Sequence, residues 1–263
     1  MIYISRKDIE TIGTTGVYQY DLPDGKMAVR VLSSFWLCLN DTEDDFVPHI
    51  KRDGFWESWI SLWMSQNIDP GSVCIDGGAN YGYYTFQLLL HGCKVYAIEA
   101  NPNLIPYLEA SLELNGSILP LTIVNKAITD GSTETVTLNI TESPLHSTVG
   151  IERHPIEKIE VKTTRLLDYI DEKIDFIKLD IEGNEDQALA DLIVLQNKYP
   201  DLVCLMEWVY DAYPNKSKEL FSYIIDNFYL SYVDYDGTEV FIFSYDFIEA
   251  EEVDLRMYVL RKK

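Results

Sequence analysis

The sequence predicts an α/β fold in which helices cover both faces of a doubly wound, mostly parallel sheet. An apolar run, Val73 to Ile75, breaks at Asp76 into glycines and then into a stretch with apolar residues at helical spacing. Other short apolar runs also end in single carboxylates, at Glu99, Asp180 and Glu207. Between them the pattern switches to helical spacing, the alternation that supplies the crossovers of a parallel sheet.

In chain order, the segment before Val73 holds strand-like pieces at Met27 to Leu32 and Phe35 to Leu39 and an acidic turn at Asp41 to Asp45, followed by GFWESWISLWMSQNI. There Trp56, Trp59, Ile60 and Trp63 share one helical face. Such a stripe packs on a sheet or stacks on sugars and aromatic acceptors, and no catalytic role is assigned to it. Residues 1–69 are read as an N-terminal β/helix extension packed on the core, and 70–263 as the main domain.

The stretch VCIDGGANYGYYTF, Val73 to Phe86, reads as strand, tight turn and helix, the helix starting near Tyr81. Free N–H groups at that helix start would point at whatever occupies the turn. The strand Lys94 to Ile98 ends in Glu99, the distance past a glycine turn at which doubly wound nucleotide folds place a ribose-gripping carboxylate. Read as a dinucleotide fingerprint, Gly77, Ala79 and Gly82 give only G-x-A-x-x-G, with Ala where a pyrophosphate needs close backbone approach. Read from Asp76, the turn is similar to the D-x-G-x-G-x-G of S-adenosylmethionine-dependent methyltransferases, with Asn80 at the middle glycine. Acidic surroundings suit a sulfonium and repel a pyrophosphate.

Downstream, the pattern predicts a helix from about Asn103 to Leu114, a strand at Leu121 to Val124, and β-rich runs at Glu134 to Ile140 and Ile156 to Lys162. The polar TESPLHSTVGIERHP between those runs is either a lid, with His146 as a candidate base, or a surface hairpin loop. A short helix follows over Thr164 to Ile170, then the strand Phe176 to Leu179 ending at Asp180, with Glu182 and Glu185 just beyond. The run Leu202 to Met206 closes at Glu207. A helix at Ser217 to Asn227 leads to strands at Phe228 to Val233, Glu239 to Phe243 and Met257 to Arg261, with a turn at Tyr235 to Gly237. Ligands gather at the carboxyl ends of such strands, so Asp76, Glu99, Asp180 and Glu207 would line one rim. Glu182 and Glu185 have a second use, at the N-terminus of the next helix.

Composition narrows the functions. The 263 residues carry a formal net charge of -22, which disfavours nucleic acid and acidic membrane surfaces as partners and suits a neutral or cationic acceptor. Cys38, Cys74, Cys93 and Cys204 lack C-x-x-C spacing and read as small buried hydrophobes; the histidines form no H-x-x-x-H pair. No apolar leader or membrane-length run is visible, so a soluble cytoplasmic enzyme is expected.

Five motifs in order, IDGGANYGYYT, IEANP, VNKAITD, TTRLLDYI and KLDIEGNE, between Ile75 and Glu185, resemble the FkbM-type methyltransferases, a branch of the class I S-adenosylmethionine-dependent fold. The resemblance implies a Rossmann-like seven-stranded sheet with a reversed last strand, S-adenosylmethionine as cofactor, and methyl transfer to a hydroxyl of a small molecule or glycan. By position it implies that Asp76, Gly78 and Asn80 shape the methionine end of the cofactor site, with Gly77 and Ala79 of the same turn also cofactor-binding. Glu99, with Ala100 and Asn101 beside it, would hold the ribose, and Ala127 would lie near the adenine. Asp180 and Glu182 would face the methyl and the acceptor. Asn184 stands where the family usually carries Ala. The carboxylates Asp180, Glu182 and Glu207 crowd enough charge to raise a pKa for acid–base work. Hard cations also favour such oxygens, and no metal is assigned here. The competing functions are a nicotinamide-dependent oxidoreductase and a non-catalytic glycan-binding or scaffold protein that keeps the fold.

Overall fold

A computed structural model describes residues 3, 5–41, 46–141, 147–149, 155–169, 171–208, 217–242 and 256–263. The N-terminal segment forms α1 (Arg6–Gly16), the antiparallel strands β1 (Tyr18–Asp21), β2 (Lys26–Val31) and β3 (Phe35–Asn40), then α2 (Phe46–Asp53) and α3 (Ser58–Asn67). The sequence hid α1 and β1. Helix α1 holds glycines and threonines, poor helix formers, and starts where Ser5 accepts the Asp8 N–H. All four residues of β1 are exposed, so no alternation of burial marks it.

The rest of the chain builds β4 (Val73–Gly77), α4 (Tyr83–Leu90), β5 (Lys94–Ile98), α5 (Ile105–Leu114) and β6 (Leu121–Val124). Next come the short strands β7 (Ala127–Ile128), β8 (Thr135–Ile140), β9 (Thr148–Val149) and β10 (Glu157–Thr164). It continues with β11 (Phe176–Leu179), α6 (Leu189–Lys198), β12 (Val203–Trp208), α7 (Ser217–Asn227), β13 (Phe228–Val233), β14 (Glu239–Ile242) and β15 (Arg256–Lys262). The stretch expected as a short helix over Thr164 to Ile170 is a 3-10 turn at Leu166–Tyr169.

The main sheet runs β14-β13-β15-β12-β11-β4-β5-β6. It is doubly wound and mostly parallel, and β15 is reversed between β12 and β13. The seven expected strands are present. The eighth, β14, joins the edge because the Asp234–Thr238 turn, with Gly237 at φ 84, folds it back on β13. Strand order reverses beside β4, and that switch point places a crevice at the carboxyl ends of β4 and β11.

Both faces of the sheet are apolar, as burial under two helical layers demands. Cys74, Ala97, Phe176 and Leu205 face α3, α4 and the N-terminal strands in one cluster. Ile75, Ile98, Ile177 and Met206 face α6 and α7 in the other. Because strand side chains alternate, Asp76, Glu99, Lys178, Asp180 and Glu207 follow the first set, so their charges gather on the α3/α4 side. The small sheet β7-β10-β8-β9 stands beside the β4–β6 rim with its own apolar cluster of Ala127, Leu138, Ile140 and Val161. The four cysteines are free and buried. Among the described residues, no helix is long and apolar enough to cross a membrane.

Candidate functional site

The turn after β4 is built by backbone that few residues tolerate. Gly78 has φ 76, Asn80 φ 52 and Gly82 φ 93, all left-handed. The Gly78 and Ala79 N–H groups donate to the Ile98 carbonyl at 2.9 and 3.1 Å, tying the turn to the end of β5. Glu99 completes the tie. Its two carboxylate oxygens accept the Asn80 N–H at 2.8 Å and the Asn101 N–H at 2.7 Å. Burial pushes its carboxyl up to about 7 in spite of those bonds.

A cavity of about 380 Å³ opens over this turn. Gly78, Ala79, Asn80, Glu99, Ala100 and Ala127 line it, as do Asp180, Glu182 and Glu207. Asp76, Gly77 and Asn101 stand behind the wall. Asp76 is 1% exposed and accepts from the Thr85 hydroxyl at 2.5 Å, while Asn101 orients Glu99 through its backbone. Leu138 and Val149 of the small sheet close the side next to Ala127. His146 lies outside the described residues.

Asp180, Glu182 and Glu207 each offer an oxygen within 4.8 Å of the others. Lys178, 2% exposed, reaches Asp180 at 3.0 Å and Asp76 at 3.8 Å, and its ammonium lies 4.9 Å from the centre of the Tyr84 ring. Burial opposes the charge on Lys178, but Asp180 and Asp76 outweigh it and hold the ammonium above its ordinary value. Glu207 is raised well above the usual carboxylate range by burial, with the charges of Asp180, Glu57 and Glu182 adding to it. Glu185 serves the chain rather than the cavity, accepting the Ile181 N–H at 2.9 Å and the Gly183 N–H at 3.1 Å.

Sequence reasoning missed Phe46, Glu57 and Lys178, and named Trp56 only within an aromatic stripe without a catalytic role. Phe46, Trp56 and Glu57 come from the N-terminal segment, and all three line the cavity. Phe46 packs edge-on to Trp56 at 5.3 Å and flat on Tyr81 at 6.1 Å. Glu57 accepts the Tyr84 hydroxyl, and burial pushes its carboxyl up to about 7. No local signal marks Glu57, since its partner lies on another helix. Lys178 did carry a signal: a lysine inside an apolar strand run needs a buried anion beside it.

The FkbM methyltransferase domain profile matches residues 76–235. The chain belongs to the FkbM methyltransferase family. The match takes in the turn, Glu99 and all three clustered carboxylates, and leaves out Phe46, Trp56 and Glu57. Among solved structures, the FkbM methyltransferase from Methylobacillus flagellatus KT is similar at 15% identity and a TM-score of 0.47, over 73% of this chain and 44% of that one. This FkbM family member thus spans less than half the length of the Methylobacillus protein. The TehB-like SAM-dependent methyltransferase from Corynebacterium glutamicum is similar at 14% identity and a TM-score of 0.43, over 78% and 88% of the two chains. The precorrin-6y C5,15-methyltransferase from Geobacter metallireducens is similar at 11% identity and a TM-score of 0.45, over 85% and 94%. Comparison with curated protein sequences gives no match.

Proposed function

We propose that this protein is an S-adenosylmethionine-dependent methyltransferase that methylates a hydroxyl of a neutral or cationic small molecule or glycan. One observation carries this reading: the family-matched glycine turn, braced by Glu99, opens into a cavity lined by carboxylates. Among the described residues, Glu57, Glu99, Asp180, Glu182 and Glu207 line it against two lysines, Lys126 and Lys178. That balance attracts a sulfonium cation and repels the pyrophosphate of a dinucleotide.

The residues present fit such a cofactor. Gly78, Ala79 and Asn80 would hold its methionine end, Glu99 its ribose hydroxyls, and Ala100, Ala127, Leu138 and Val149 its adenine. Each Glu99 oxygen spends one lone pair on the backbone and keeps capacity for a hydroxyl donor. When bound, S-adenosylmethionine supplies a methyl group activated by positive sulfur. The chain's own task is to place the acceptor oxygen in line and exclude water, and positioning of this kind removes much of such a barrier. Asp180 and Glu182 orient the acceptor hydroxyl, with Asp180 held in place by Lys178. Glu207, raised well above the usual carboxylate range by burial, stands with an oxygen within 4.8 Å of those of Asp180 and Glu182.

The test is calorimetric titration with S-adenosylhomocysteine beside a nicotinamide dinucleotide, followed by a panel of glycans and small alcohols with labelled methyl donor. Binding of the first ligand alone, with a dissociation constant on the order of micromolar, supports the reading. Binding of the dinucleotide alone would make the chain an oxidoreductase candidate; binding of neither would favour a scaffold.

A further inference from the structure

We infer that Glu57, delivered by the N-terminal segment, is the group that takes the proton from the acceptor hydroxyl. The inference rests on the methyltransferase reading above and adds to it the base.

A neutral alcohol is a weak nucleophile, so a carboxylate that can accept its proton must sit in the cavity. The strand-end carboxylates are poorly placed for that step. Asp180 already gives an oxygen to the buried Lys178 ammonium. Glu99 has both oxygens bonded to the backbone of the turn. Glu207 is raised well above the usual carboxylate range by burial and is crowded by the oxygens of Asp180 and Glu182 within 4.8 Å. Glu57 differs from these. It caps the start of α3 with a left-handed backbone (φ 34) and lines the cavity together with Trp56 and Phe46. Its hydrogen-bond donor is the neutral phenol of Tyr84, which fixes the carboxylate without a counter-charge. The charged and titratable groups that face it are Tyr83 and Tyr84 from α4, Lys178 and Asp180 from the end of β11, and Glu207 from β12. Burial raises Glu57 to about 7, so near neutral pH it is partly ionised and a stronger base than a solvated carboxylate.

The step balances simply. The acceptor oxygen forms the new bond to the methyl carbon, the electron pair of the broken carbon–sulfur bond stays on sulfur and cancels its charge, and the O–H proton ends on Glu57. An aromatic wall of Phe46, Trp56, Tyr81 and Tyr83 surrounds that position, which suits an acceptor presenting an apolar ring face, such as a sugar or an aryl alcohol.

The experiment begins with the ionisation itself, which needs no acceptor. Infrared titration of the full chain should show protonated carboxyl absorption that titrates near neutral pH from Glu57 and Glu99, with the Glu57 share absent in Glu57→Gln. Absorption unchanged by that substitution would overturn the inference. Glu57→Gln keeps the side-chain length and an oxygen for Tyr84, so S-adenosylhomocysteine affinity should stay within about twofold of the parent. Turnover of a hydroxyl acceptor from the panel should fall by about a hundred- to ten-thousandfold, and its acid limb near pH 7 should vanish. If the parent binds S-adenosylhomocysteine and methylates an acceptor while Glu57→Gln turns over within tenfold, the base assignment alone fails. If the parent binds no S-adenosylhomocysteine, both readings fail.

Discussion

Gly78 meets Asp180 backbone to backbone: a Cβ on Gly78 would stand 1.8 Å from the Asp180 carbonyl oxygen. The turn after β4 is thereby pressed onto the end of β11, and the glycine turn and the cavity's carboxylates share one rim. A side chain here meets backbone, which cannot swing away.

Gly78→Ala should therefore lower stability by on the order of 3 kcal/mol, combining the left-handed backbone with overpacking. Urea denaturation measures the loss and calorimetry the accompanying fall in S-adenosylhomocysteine affinity. A variant with parental stability and affinity would show that the two backbones separate freely.

Glu99→Ala should weaken S-adenosylhomocysteine binding by roughly ten- to more than a hundredfold, from charge-assisted hydrogen bonds of about 1.5–3 kcal/mol. The turn also loses the acceptor for the Asn80 and Asn101 N–H groups. A denaturation curve run alongside separates the two effects: lower stability with unchanged affinity would make Glu99 a brace for the turn and nothing more.

Lys178→Met should cost about 3–5 kcal/mol, because it strands Asp76 and Asp180 without their cation. Adding Asp76→Asn should restore part of that loss. The double variant proving no more stable than the single one would place the coupling elsewhere.

Stability should fall as pH rises across about 4.5 to 7. Burial raises Glu57 and Glu99 from 4.5 to about 7. Within that window the folded chain keeps protons that the unfolded chain has released, so the contribution is complete below 4.5 and lost as pH passes 7. Glu239 is shifted the other way, held down against burial by Arg261 and Ser231, and acts below the window. Thermal melts through the window should show a shallower slope in Glu57→Gln and Glu99→Gln. Slopes equal to the parent's would contradict the assignment.

The amino-acid sequence by itself determined the α/β class, the strands that end in Asp76, Glu99, Asp180 and Glu207, and the glycine turn between β4 and α4. These are local statements: apolar runs of strand length, single carboxylates at their ends, and glycines where φ must be positive. Strand alternation even settles that those carboxylates share one face. The tertiary structure decided which of them reach the cavity. Asp76 sinks behind the wall into the pair with Lys178, whereas Glu57, without a local signature, arrives from the start of α3 to face Tyr84. It also made walls of the small sheet and of Phe46 and Trp56. Such placements depend on contacts between residues far apart in the chain, and on the desolvation those contacts impose, neither of which a local pattern records.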